Sequence, residues 1–162
     1  MVGVSVKIKG GPDMYDSYQD TIDHKSKVYE YISVLKKHLI NRGVSHDDSK
    51  LQYPEKEIFD DVTPKLKTLT YGSDEYKEQL KEMDIALKHH YENNSHHPEH
   101  YENGILDMDL IDICEMICDW KAASERHSDG DIMESISINQ KRFKYSDELK
   151  QILENTVKRY FL

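Results

Sequence analysis

Positive charge is in short supply in this chain: 22 lysines and arginines face 31 aspartates and glutamates, for a formal charge of -9 over 162 residues. That deficit excludes a general nucleic-acid-coating role, which needs a Lys/Arg surface to displace counterions from phosphates. A small anionic substrate stays open, because a bound divalent ion inverts the local field inside an acidic protein. Long apolar runs are missing too. No run approaches a membrane span, and the N-terminus MVGVSVKIKGGPD has no apolar stretch long enough for a signal peptide, so a soluble cytoplasmic protein is expected. Cysteine is nearly absent. Cys114 and Cys118, the two present, stand four apart in an apolar helical run and are expected to be reduced core residues on one side of a helix. There are no internal repeats, and no low-complexity segment beyond one His-rich loop.

What is present is periodic. Hydrophobic residues make up 37% and charged ones 33%, polar for a globular chain, but the apolar residues cluster at helical spacing and the chain is expected to fold as one domain spanning 1–162. Residues 2–8 alternate (Val2, Val4, Val6, Ile8) and suggest a short strand or arm ended by Gly10, Gly11 and Pro12. From about Tyr18 to Ile40 the stripe Val28, Ile32, Leu35, Leu39 marks a helix with Gly43 as a plausible stop. One step of four back from Val28 lands on His24, which is therefore expected on the core side. Ser45 is expected to cap a short helix with His46, Asp47 and Asp48 in its first turn. Residues 54–72, with Ile58, Phe59, Val62, Leu66 and Leu69 as anchors, read as a short helix and a connection ending at Gly72.

Ser73 caps a long helix whose stripe runs Tyr76, Leu80, Met83, Leu87, His90, which selects His90 over His89 as the inward residue. It ends near Asn93 and Asn94. The following loop carries His96, His97, Pro98 and His100, so five of the nine histidines lie within a short stretch. Next comes a helix from about Asp109 to Arg126. At roughly 100° per residue, its Asp112, Glu115 and Asp119 share an arc of about 60°, which is either a solvated face or the lining of a site. Imidazoles followed by spaced carboxylates suit borderline divalent metals. Two supporting helices follow, one from Asp131 with Ile132, Ile136 and Phe143 inward, one from Ser146 with Leu149, Ile152, Leu153, Val157 and Tyr160 inward.

The order His24, then His46-Asp47, then a helical His pair, then an Asp on a later apolar helix resembles the HD-domain superfamily of metal-dependent phosphohydrolases. The run HDDSK (46–50) is similar to the HD-x-x-K form of the motif. HHYENNSHHPEHY followed by IDICEMICDWKAAS is similar in layout to the cyclic-dinucleotide phosphodiesterase branch, but residues 48–88 hold no further histidine and no Gly-Tyr-Pro element occurs. From His24 to Arg126 the chain looks like an uncharacterised family of bacterial and phage proteins with HD-x-S-K, His-Tyr-x-x-Asn-x-His-His-Pro and Glu-Met-x-Cys-Asp-Trp signatures.

The resemblance implies an all-α, HD-domain-like bundle with its metal-site core at about 18–126 and residues 131–162 in support. It implies one or two divalent ions (Mn, Fe, Co, Ni or Zn) on His24, His46, Asp47, His90, His97 and Asp119, with His89 and His96 as alternates. Asp47 would bridge the ions, Lys50 would contact the phosphate, and Glu57 or Glu115 would orient a ligand histidine or move a proton. His96 and His100 would join Lys50 in binding a small phosphorylated substrate, for which a nucleotide is the leading class. An HD-fold di-iron oxygenase and a non-catalytic nucleotide- or metal-binding module are the alternatives, and a homo-oligomer is compatible with all of them.

Overall fold

The computed structural model describes residues 15–68, 74–126 and 130–162. Among them the chain is all-α: six α-helices and three short 3₁₀ turns, with no strand. The expected arm at 2–8 with its stop at Gly10, Gly11 and Pro12, together with Leu69, Gly72 and Ser73, lies outside the described residues. So do the side chains of Leu66, Tyr76 and Leu80. The chain divides into two compact units, one ending at Lys37 and one spanning His38–Leu162.

The first helix, α1 (Tyr18–Ser45), crosses that division and buries no residue. Here two expectations are corrected. The stripe Val28, Ile32, Leu35, Leu39 is exposed along its whole length, and His24 is exposed with it. Periodicity shows that a helix has an apolar face, not that something covers it. Within the first unit the described chain is this helix and the three residues before it, so no other described element of that unit packs on the stripe.

In the second unit α1 runs on past Gly43 to Ser45, whose hydroxyl donates back to the Asn41 carbonyl at 3.1 Å and caps nothing downstream. Asp47 takes the cap position of a 3₁₀ turn (Asp48–Leu51) with a left-handed backbone, φ 59°. Helices α2 (Glu55–Thr68) and α3 (Asp74–Asn93) pack along each other, with Val62 and Ala86 buried. The loop after α3 carries 3₁₀ turns at Pro98–His100 and Gly104–Asp107, the second starting on Gly104 at φ 60°.

Helix α4 (Leu110–Ser124) opens with a reciprocal cap. The Asp109 carboxylate accepts from the Ile111 and Asp112 amides, and Asp112 accepts from the Asp109 amide. Asp131 and Ser146 cap α5 (Ile132–Phe143) and α6 (Asp147–Tyr160) as their sequence positions imply. These three helices bury an apolar core of Met116, Ile117, Trp120, Ile132, Ile136, Tyr145, Leu153 and Val157. Tyr145 satisfies its hydroxyl by donating to the Ile136 carbonyl at 2.7 Å. Ile152 and Tyr160, expected inward, are exposed. Cys114 and Cys118 are free thiols but exposed, not core residues: α4 turns Met116, Ile117 and Trp120 to the core and buries Asp112 and Glu115 elsewhere, leaving the cysteine edge outside. Among the described residues no helix is long and apolar enough to cross a membrane.

Candidate metal centre

Asp47 stands between two groups of potential ligands. Its Oδ1 lies 3.3 Å from His90 Nε2 and 3.6 Å from His96 Nε2. His97 Nε2 lies 2.8 Å from His90 Nε2. Asp47, His90, His96 and His97 thus bring one ligand atom each to within 4.8 Å of one another. The other oxygen, Oδ2, is 3.5 Å from His46 Nε2, which is itself 3.6 Å from Asp119 Oδ1. His46, Asp47 and Asp119 form the second group.

An outer layer of carboxylates aims these rings. Glu55, fully buried at the first position of α2, takes His90 Nδ1 at 2.9 Å on one oxygen and His89 Nδ1 at 2.7 Å on the other. Glu115 Oε1 takes His46 Nδ1 at 2.9 Å and His96 Nδ1 at 3.2 Å. A carboxylate only accepts, so the Nδ1 nitrogens carry the hydrogens and the Nε2 lone pairs of His46, His90 and His96 point inward. For the same reason the grouping of His46, His96 and Glu115 is scaffold and not a third ligand set. The guanidinium of Arg42 neutralises this layer, with Nε on Glu115 Oε2 and one terminal nitrogen 2.7 Å from Asp112 Oδ1. Asp112 is tied further by Ser95 at 2.8 Å and the Tyr101 hydroxyl at 2.6 Å. Asn94 donates to Ser49 Oγ at 2.7 Å and to the His90 carbonyl at 2.8 Å, and Ser49 Oγ lies 3.2 Å from His90 Nδ1.

Two of the inward atoms meet no protein hydrogen. Asp47 Oδ1 and His96 Nε2 are buried without a hydrogen-bond partner, and His90 Nε2 lies 2.8 Å from His97 Nε2 and 3.3 Å from Asp47 Oδ1. Lone pairs converging in a buried pocket repel unless a cation sits among them. The donor set, three imidazoles and a carboxylate on one side, an imidazole and two carboxylates on the other, fits borderline divalent metals, so these residues can hold a metal ion.

Protonation follows the same layout. Burial, with the neighbouring His96 and His90, pushes His97 down to about 3, and burial with the Lys50 charge lowers His90 as well. Both rings are therefore neutral and available as ligands. Burial would raise Glu115, but hydrogen bonds from His96, His46 and Arg42 outweigh it and hold the carboxyl at about 2. Asp47 is likewise lowered, burial being overcome by Lys50, His46 and His90.

Of the residues expected at the site, His46, Asp47, His90, His97 and Asp119 converge, and the alternate His96 joins them as a full member of the larger group. Glu115, at the His96 Nδ1, turns the His96 Nε2 inward. His24 belongs to the first unit, is exposed, and is in none of the described ligand groups. His100 is exposed, and its Nδ1 donates to the Tyr91 carbonyl at 2.8 Å. His89 is engaged by Glu55 outside the ligand groups. Lys50 Nζ sits 2.6 Å from Asp47 Oδ2. Glu57 is exposed, and the orienting role expected of it falls to Glu55.

Glu55, Arg42, Ser49 and Asn94 carried no recognisable signal. A glutamate after Pro54 reads as an ordinary helix start, and an arginine in a last helical turn reads as a dipole partner. No curated protein and no solved structure matches the chain significantly. A family described as a family of unknown function, DUF5662, matches residues 13–159, and the chain belongs to that family.

Proposed function

We propose that the protein is a metal-dependent phosphohydrolase with an HD-domain-like centre, acting on a phosphate ester through metal-activated water, with nucleotides as the leading substrate class. The observation that carries this reading is the pair of buried, unpartnered atoms Asp47 Oδ1 and His96 Nε2, aimed at the same point as His90 Nε2 and His97 Nε2. Mn, Fe, Co, Ni or Zn suits this mixed set better than Ca. A divalent ion supplies Lewis acidity, polarising a phosphoryl oxygen and acidifying water.

The chain's own residues do the rest. Asp47 presents one oxygen to each ligand group and so spans both. Glu55 and Glu115 accept from the Nδ1 hydrogens of His90, His46 and His96 and so orient the rings with Nε2 toward the centre. Lys50 and Arg126 line a cleft of about 530 Å³ together with Asp47, His90 and His97, and provide positive charge for a phosphate.

Elemental analysis of protein purified without a His tag tests the first step, with Asp47→Asn as the control. A panel of nucleoside mono-, di- and triphosphates with added Mn tests the second. Metal-free protein and a phosphate-free product stream would overturn the reading. Bound iron with oxygen uptake assigns the oxygenase chemistry, and tight nucleotide binding without turnover assigns the non-catalytic module.

A further inference from the structure

We propose that the cavity between α4 and α5 receives the alcohol portion of the phosphate ester, and that it selects esters whose alcohol portion is neutral or cationic over those carrying a second anionic group. This rests on the metal-centre reading above. The cavity has a volume of about 580 Å³, within the range of small-molecule sites.

Its position points to substrate. His97, from the larger ligand group, and Asp119, from the smaller, both line it, so an occupant reaches both groups at once. The neighbouring apolar cavity of about 490 Å³, lined by Cys114 and Cys118, meets only ligands of the smaller group, His46 and Asp119. The Lys50/Arg126 cleft shares Tyr91 and His97 with the α4–α5 cavity. A phosphate at the ligand groups thus has lysine and arginine to one side and the α4–α5 cavity to the other, which is the arrangement an ester needs.

Its charge supplies the selectivity. The lining holds four carboxylates, Glu99, Asp119, Asp131 and Glu134, against one cation, Arg142. Arg142 is already engaged, 2.5 Å from Glu99 and with its guanidinium 4.7 Å over the Phe143 ring. Asp131 is turned to the Met133 amide. Glu134 lines the cavity and has no ion pair among the described residues. A second phosphate or a carboxylate in this space meets like charge, while an ammonium or a hydroxyl meets acceptors.

Ring and backbone packing shape two of its walls. Trp120 and Phe143 lie parallel within 8°, centroids 6.3 Å apart, on one side. On another, a Cβ on Gly130 would fall 1.8 Å from the Ser124 carbonyl oxygen, so only glycine permits this close backbone approach.

The test uses the full chain loaded with Mn and three rigid ligands: phenyl phosphates bearing a 4-aminomethyl, a 4-hydroxymethyl or a 4-carboxylate group, titrated calorimetrically. The first two are expected to bind at least about ten-fold more tightly than the third. Glu134, exposed on α5, is changed to Lys and to Gln; the gap is expected to close in Glu134→Lys and to narrow in Glu134→Gln. Equal or tighter binding of the carboxylate, an unchanged gap in folded Glu134→Lys, or no binding of any of the three overturns the proposal. Hydrolysis is followed on the same samples. Charge discrimination without turnover removes the phosphohydrolase reading and leaves the cavity assignment, whereas turnover without discrimination does the reverse.

Discussion

Helix α4 separates two interiors built on opposite rules. On one face Met116, Ile117 and Trp120 join α5 and α6 in an apolar core whose only buried hydroxyl, that of Tyr145, is satisfied by backbone. On the other, Asp112 and Glu115 enter a polar interior with Glu55, His90 and His96. Apolar packing is non-directional and tolerates substitution in proportion to the volume lost. The polar interior is directional: each carboxylate fixes a tautomer, and each tautomer fixes where a lone pair points. One interior holds the helices together, and the other holds a charge distribution that favours a cation.

Five tests would break that contrast if it is wrong. The largest effect is expected from Asp47→Asn, which removes the one carboxylate shared by both ligand groups. Metal content by elemental analysis is expected to fall at both positions together. Loss of one ion only would sink the bridging role.

Glu55→Ala is expected to cost about 1–3 kcal/mol, since it strands the buried His90 N–H and releases the half-buried His89, and to lower metal affinity about 10–100-fold; denaturant melts and metal titration check both. Ile136→Ala sharpens the comparison from the apolar side. It is expected to cost about 2–5 kcal/mol with metal stoichiometry unchanged, and a change in metal content would show that the two interiors are not separate.

The next effect is of pH on the chelated protein. His97 is held at about 3 against an ordinary 6.5, so between those values the unfolded chain binds a proton that the folded chain refuses. Its contribution is complete above 6.5 and is lost as pH falls. Glu115, at about 2 against 4.5, adds loss of the same sign below 4.5. Urea midpoints should therefore fall from pH 6.5 downward and more steeply below 4.5, and a flat profile would refute the buried neutral His97. Smallest of all, Cys118→Ser at the exposed edge of α4 should stay within about 0.5 kcal/mol in the same melts.

The helical architecture was legible because caps and periodic stripes are local: Asp131 and Ser146 sit where the chain says they should. Burial was less so. The α1 stripe and the cysteine edge of α4 have core-like spacing and lie exposed, while the acidic arc of α4 has surface-like chemistry and is mostly buried. Spacing reports which residues share a face, and only the tertiary neighbours decide what covers it. Most of the residues that converge could be found, because imidazole and carboxylate declare their chemistry. Glu55 and Arg42 could not, because their function depends on residues 35 and 73 positions away, His90 and Glu115.

The left-handed backbone at Asp47 has a consequence for the neighbour before it. On an uninterrupted helix, consecutive side chains diverge by about 100°, so His46 and Asp47 would aim at different partners. A non-glycine residue seldom adopts φ 59°. By reversing the chain's hand at that single residue, the end of α1 folds two successive side chains toward one another, Nε2 to Oδ2 at 3.5 Å. A dipeptide thereby does what otherwise takes two separate segments of chain.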